Sequence, residues 1–282
     1  MNNLITIAAL FGLVVSAALA GCTGESSKST QQGGRGSPAS IAAKATRLEL
    51  PTGDERVRLD PDEFTTKIDH PYWPMKPGTR WTYRETDEEG KELDVVVVVT
   101  HQTRRIANGV TARVVRDTVI EDGELVEDTR DWYAQDANGN IWDLGEETAE
   151  FEGGEIATRA GSFEAGVDGA MAGIILPAGP RPGMRYRQEY YQGEAEDSGA
   201  VLSTEEMAQV PYGFFRDALL TKDTNALEPR VLEYKLYARG VGPVLVLGVS
   251  GGAGKEELLE VDRAPRTADT GPLGHRRSID RR

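Results

Sequence analysis

"TRWTYRETDEEGKELDVVVVVTH", residues 79–101, decides the fold class. From Thr79 to Glu85 bulky and polar side chains alternate, which puts Trp81 and Tyr83 on one side of an extended chain and Arg80, Thr82 and Arg84 on the other. A period of two is that of a half-buried strand. The polar "DEEG" turns the chain, and "DVVVVVTH" is a β-branched run too apolar for an exposed edge. Strand, turn and strand make an antiparallel hairpin.

The same pattern repeats downstream. "VTARVVRDTVI", the turn "EDGE" and "LVEDTRDWYAQ" predict a second hairpin, and "DANG" leading into "NIWDLGE" a third, with Asn138-Gly139 as its turn. "GMRYRQEYY" alternates again, and "RVLEYKLYARGVGPVLVLGVSG" reads as a long strand, a glycine bend and another strand. "EELLEV" follows as a last strand or short helix, and the best helical candidates are "STEEMAQV" and "FFRDALL". With no long 3.6-residue period and no strand-helix alternation, the expected fold is mainly β. It is a single antiparallel sheet domain, either a curved sheet, a half-barrel or a barrel, with one or two short helices.

The ends of the chain differ in character. Leu4 to Ala20 is apolar apart from Thr6, Gly12 and Ser16, about the length of a signal-peptide core, and runs into Leu19-Ala20-Gly21-Cys22. Cys22 is the chain's sole cysteine, so it closes no internal disulfide, and three histidines (His70, His101, His275) give it few partners for a zinc site. Leu-Ala-Gly-Cys resembles the lipobox of bacterial lipoproteins, and the resemblance implies a lipid on Cys22 after removal of residues 1–21. Acyl chains at ~0.8 kcal/mol per buried methylene would hold the protein on the outer side of a cell membrane. Residues 22–57 then form a flexible tether, rich in Ser, Gly, Gln and Thr in its first half. Residues 58–265 form the β domain, and 266–282 a disordered basic tail. The formal charge of −14 argues against nucleic acid as a partner.

Two segments mimic three catalytic or metal motifs. "GVSGGAGKE", residues 248–256, lacks the first glycine of a phosphate loop, since Val249 stands there, and Glu256 follows Lys255 where Ser or Thr is needed. Gly248-Val249-Ser250-Gly251-Gly252 fits a nucleophile elbow, so a secreted serine hydrolase using Ser250 is the second alternative function, but a glycine-rich turn explains the residues as well. "DANGNIWDLGEE" places Asp136, Asn138, Asn140 and Glu147 at calcium-loop spacing, yet Ile141 occupies the position that needs glycine; a hairpin accounts for every residue. No catalytic residue, metal ligand or cofactor is assigned. The remaining signal is aromatic: Trp81, Tyr83, Trp132 and Tyr237, with Arg130 and Arg239, are expected to line a ligand cleft inside the curved sheet.

"PYWPMKPGTRWTY", 71–83, and "EYKLYARGVGPVLVL", 233–247, resemble a group of uncharacterised bacterial lipoproteins, and "WYAQDANGNIWDLGE" between them fits the same group. Arg239 stands where many of that group carry proline. The resemblance implies a β-rich envelope lipoprotein and no particular activity. The expected function is therefore a membrane-anchored, non-enzymatic binding or structural module whose partner is an envelope component. The first alternative is a carrier of a lipid or other small apolar ligand in the curved sheet.

Overall fold

The computed structural model describes residues 50–252, 254–266 and 271–274. Cys22, the apolar run before it, residues 22–49 and His275 lie outside the described residues. A one-turn helix at Pro61–Glu63, capped by the Asp60 carboxylate on the Asp62 N–H, leads into three two-residue strands, β1 (Phe64–Thr65), β2 (Ile68–Asp69) and β3 (Pro74–Met75). Then come β4 (Thr79–Thr86), β5 (Glu92–Arg105), β6 (Thr111–Glu121), β7 (Glu124–Asp136) and β8 (Ile141–Glu152), paired in sequence as antiparallel neighbours. The short β9 (Glu155–Thr158) and β10 (Phe163–Glu164) hang on β8, which also pairs β11 (Met171–Leu176). Beyond β12 (Arg185–Arg187) and β13 (Glu189–Tyr190) the chain makes a second meander: β14 (Asp197–Val210), β15 (Gly213–Asn225), β16 (Leu232–Ala238), β17 (Gly242–Ser250) and β18 (Lys255–Arg263).

The two meanders join at both sides. β18 pairs with β4, so Arg263 lies opposite Thr79 and Lys255 opposite Thr86. On the other side β12 pairs with β14 and β13 with β11, although the two are parts of one extended segment separated only by Gln188. That segment is shared between the two meanders and makes the sheet a nearly closed barrel, one of the three architectures expected from the hairpin pattern.

The helical candidates are not helices. "STEEMAQV" lies in β14 and "FFRDALL" in β15. Glu205, Glu206 and Met207 have fair intrinsic helicity, but a long hairpin registered from Asp197–Asn225 to Val210–Gly213 satisfies the backbone of both segments and overrides propensity. The final "EELLEV" is β18, not a helix.

Segments outside the wall fill one end of it. Residues 68–75 cover the rim near the start of β4, burying Ile68, Tyr72, Trp73 and Met75 against Trp81, Tyr133 and Tyr237. Trp73 stands 5.8 Å from Tyr133 and 5.9 Å from Tyr237, centroid to centroid. The two motifs of the sequence resemblance meet here: the Gly240 N–H donates to the Pro71 carbonyl and Arg239 lies 4.3 Å over the Tyr72 ring. Gly242 has φ +119°, and a Cβ there would come within 2.9 Å of the Trp73 ring, so this position requires glycine. Residues 50–57, expected to be part of the tether, lie along the outer wall, where the Arg187 N–H donates to the Pro51 carbonyl at 2.6 Å. Part of the expected tail also touches the wall: the Gly274 N–H donates to Asp128, and Arg130 to the carbonyl of Gly271.

Candidate functional site

The aromatic residues expected to line an inner cleft are structural. Trp81 and Tyr83 are fully buried; the Trp81 indole donates to the Val241 carbonyl and the Tyr83 hydroxyl to that of Pro243. Tyr237 belongs to the same core. Trp132 packs on the outer face beneath Arg104, whose guanidinium sits 3.8 Å from its ring centroid. Arg130 binds the Gly271 carbonyl and Arg239 covers Tyr72, so neither meets the other four in a cleft. Alternation in the sequence reports which face is buried, and burial against other aromatic rings looks the same as burial against a ligand.

Ser250 is no better placed for catalysis. Its hydroxyl donates to the Arg230 carbonyl at 2.7 Å, and among the described residues no imidazole is bonded to it. His70 is buried near the covered rim, its Nδ1 accepting from the Tyr72 N–H and its Nε2 meeting the Pro177 carbonyl. Burial, aided by Arg239, pushes His70 down to about 4, against the opposing pull of the Pro177 carbonyl and Asp69. The calcium-like loop is a hairpin turn: Asp136 accepts from the Asn138 and Asn140 backbone N–H groups, the Asn140 amide and the Trp142 indole, so its lone pairs are committed to the protein. Among the described residues no group of three His, Cys, Asp or Glu side chains is disposed to hold a metal ion.

Away from the covered rim, the interior is acidic. Glu85 faces Glu256 across β4 and β18, Asp131 faces Glu146 across β7 and β8, and Asp223 faces Glu233 across β15 and β16. Like charges directly opposite one another are destabilising, and burial adds the cost of desolvation. The third pair is relieved by Lys235, whose Nζ lies 3.0 Å from Asp223 and 3.8 Å from Glu233; these carboxylates outweigh burial and hold its ammonium above the usual lysine range. In the first two pairs the protonated form is favoured. Burial first, then mutual repulsion, pushes Glu85 up to about 7, Glu127 up to about 8, and Asp117, Glu146 and Glu256 well above the carboxylate range. Asp131 is pushed up by burial to about 7. Glu189 is raised well above the carboxylate range, chiefly by burial and then by Asp197 beside it. Asp143, Glu189, Asp197 and Asp223 also line a cavity of about 30 Å³, room for one or two waters. Trp73, Trp81, Tyr83, Tyr133 and Tyr237 fill the lumen at its covered end.

A larger space lies outside the wall. Segment 56–59, the turn at Asn108, the loop 165–170 and the outward faces of β8 and β11 enclose a groove of about 310 Å³, within the size range of small-molecule sites. Val57, Leu59, Trp142 and Met171 give it apolar walls, and Arg56, Arg187 and Asn108 its polar groups. Trp142 is fixed by Asp136 at its indole N–H and by the edge of Phe64, 6.0 Å away. Arg187 is buried, with donors spent on the carbonyls of Gly53, Glu55 and Ala172. Its Nε–H has no acceptor.

No family model matches the chain, and no curated protein matches it. Two solved structures resemble it at 14% identity. One, from Bacteroides fragilis and described as an exported protein with a YmcC-like fold, covers 68% of this chain and 99% of its own with a TM-score of 0.41. The other, from Parabacteroides distasonis and described as a lipoprotein, covers 68% and 98% with a TM-score of 0.39.

Proposed function

We propose that the chain is an envelope lipoprotein, held outside the cytoplasm by a lipid on Cys22, and that its barrel is a non-enzymatic binding module with its site in the outer groove. Leu19-Ala20-Gly21-Cys22 after an apolar run supports the anchor. The binding reading rests on one observation: a groove of about 310 Å³ with apolar walls contains a buried guanidinium whose Nε–H is left without an acceptor. The carrier reading moves with it, from the lumen, which Trp73, Trp81, Tyr83, Tyr133 and Tyr237 fill, to the outside of the wall.

Native mass spectrometry of the whole exported chain carrying Cys22→Ser, gently purified without detergent, tests the binding reading. Excess mass that is lost on denaturation supports it, and a bare polypeptide mass contradicts it. Release of the Cys22→Ser chain from membranes that retain the unaltered protein tests the anchor.

A further inference from the structure

We infer that the groove takes a small apolar monoanion, a compact hydrocarbon body ending in a carboxylate or a phosphate monoester, with Arg187 and Arg56 as its charge partners; this rests on the groove being the binding site. The first argument is charge. The chain carries 46 acidic against 32 basic side chains, yet the groove lining holds two arginines and no carboxylate. A lining of opposite sign to the protein as a whole marks a place where an anion is admitted and a cation is not.

The second argument is the state of Arg187. A buried guanidinium keeps its charge and requires either a counter-charge or a full set of acceptors. Its bonds go to three neutral carbonyls, none of which brings a counter-charge, and its Nε–H is unbonded. Glu55 and Asp54 lie close enough to favour the charged form, but the Glu55 carboxylate is turned back onto the Thr52 and Gly53 N–H groups. An anion in the groove would stand beside this guanidinium as a counter-charge that its three carbonyl partners do not supply. The hydrocarbon would lie against Trp142, Leu59 and Met171.

The test uses the whole exported chain with Cys22→Ser and follows tryptophan fluorescence, to which Trp142 contributes, together with titration calorimetry. The probes are octanoate, octyl phosphate, octan-1-ol and inorganic phosphate. One or both of the first two should bind at least tenfold more tightly than octan-1-ol, and whichever is tighter identifies the head group. Inorganic phosphate, without an apolar body, should bind at least tenfold more weakly than octyl phosphate. Arg56 is exposed, so Arg56→Glu leaves the fold intact and should weaken the anionic probes several-fold without moving octan-1-ol. Arg187→Gln should do the same more strongly, and Ala170→Phe should block all the alkyl probes. Octan-1-ol binding as tightly as the anions would overturn the anionic assignment and keep the groove. Binding of no probe, or anion binding unmoved by both Arg56→Glu and Ala170→Phe, would overturn the groove itself.

Discussion

Replacing Glu127 by glutamine removes one buried proton site and leaves its shape. Glu127 faces the lumen at 1% exposure, where Thr129 Oγ1 donates to it at 3.2 Å, a bond an amide oxygen can still accept. Burial, reinforced by Glu150, Glu85 and Asp131 and opposed by Thr129, pushes its carboxyl from 4.5 up to about 8. The folded value lies above the unfolded one, so this group's contribution is fully present below about pH 4.5 and is lost as pH rises through 8. Within that window the unfolded chain has released the proton and the folded chain still holds it. The slope is ~1.4 kcal/mol per pH unit, so over about three and a half units the unaltered protein forfeits at most about 5 kcal/mol that Glu127→Gln does not. Any cost of the amide itself is the same at every pH, which makes the slope the diagnostic quantity. Urea unfolding of both proteins at pH 5, 6, 7 and 8 should show the variant gaining steadily on the parent as pH rises. Two unfolding curves that stay a constant distance apart from pH 5 to 8 would refute the protonated interior at this position.

Other perturbations reach different parts of the barrel. Glu85 and Asp131, both pushed up to about 7, act in the same direction as Glu127, so thermal unfolding should give a higher midpoint near pH 5 than near pH 8. His70 opposes them below its unfolded value of 6.5: folding excludes its proton, stability falls as pH drops toward 4, and His70→Gln should flatten the acid limb of the same profile. Lys235→Met leaves Asp223 and Glu233 facing each other without a cation and should cost ~3–5 kcal/mol at pH 8, read by urea unfolding, with a smaller loss at pH 5 where protons can replace it. At Gly199 an added Cβ would stand 2.3 Å from the Tyr186 ring, so Gly199→Ala should force the β12–β14 seam apart and destabilise by ~1–3 kcal/mol, with faster hydrogen exchange of the 185–187 amides.

Alternation made the hairpins legible, because a period of two belongs to the local backbone and survives whatever the strand packs against. It also carried a signal for the acidic interior. Glu85 lies two residues beyond Tyr83 and four beyond Trp81, Asp131 lies two before Tyr133, and Glu233 and Lys235 precede Tyr237 in the same phase, so each charged residue falls on its strand's buried face. The acidic runs in the turns, with their glycines, are the more conspicuous feature of the sequence and describe only the solvated surface. The outer groove left no comparable trace. Arg56, Trp142 and Arg187 are far apart in sequence and are brought together because the 50–59 segment crosses β11 and β12, a placement fixed by three backbone carbonyls on one guanidinium. The strand character of the β14–β15 hairpin is hidden in the sequence for a related reason: pairing between the two strands, not their composition, determines their backbone.

Arg80 on β4 bonds Asp262 on β18, a separation of 182 residues. A chain emerging from a ribosome or a translocation pore delivers β4 early and its second neighbour almost last. Until residues 255–263 arrive, the strand carrying Trp81 and Tyr83 has β5 on one side and an open row of backbone groups on the other. Loop closure over such a distance is slow compared with hairpin formation, so the last step in building this protein is also the one most exposed to interception by another chain.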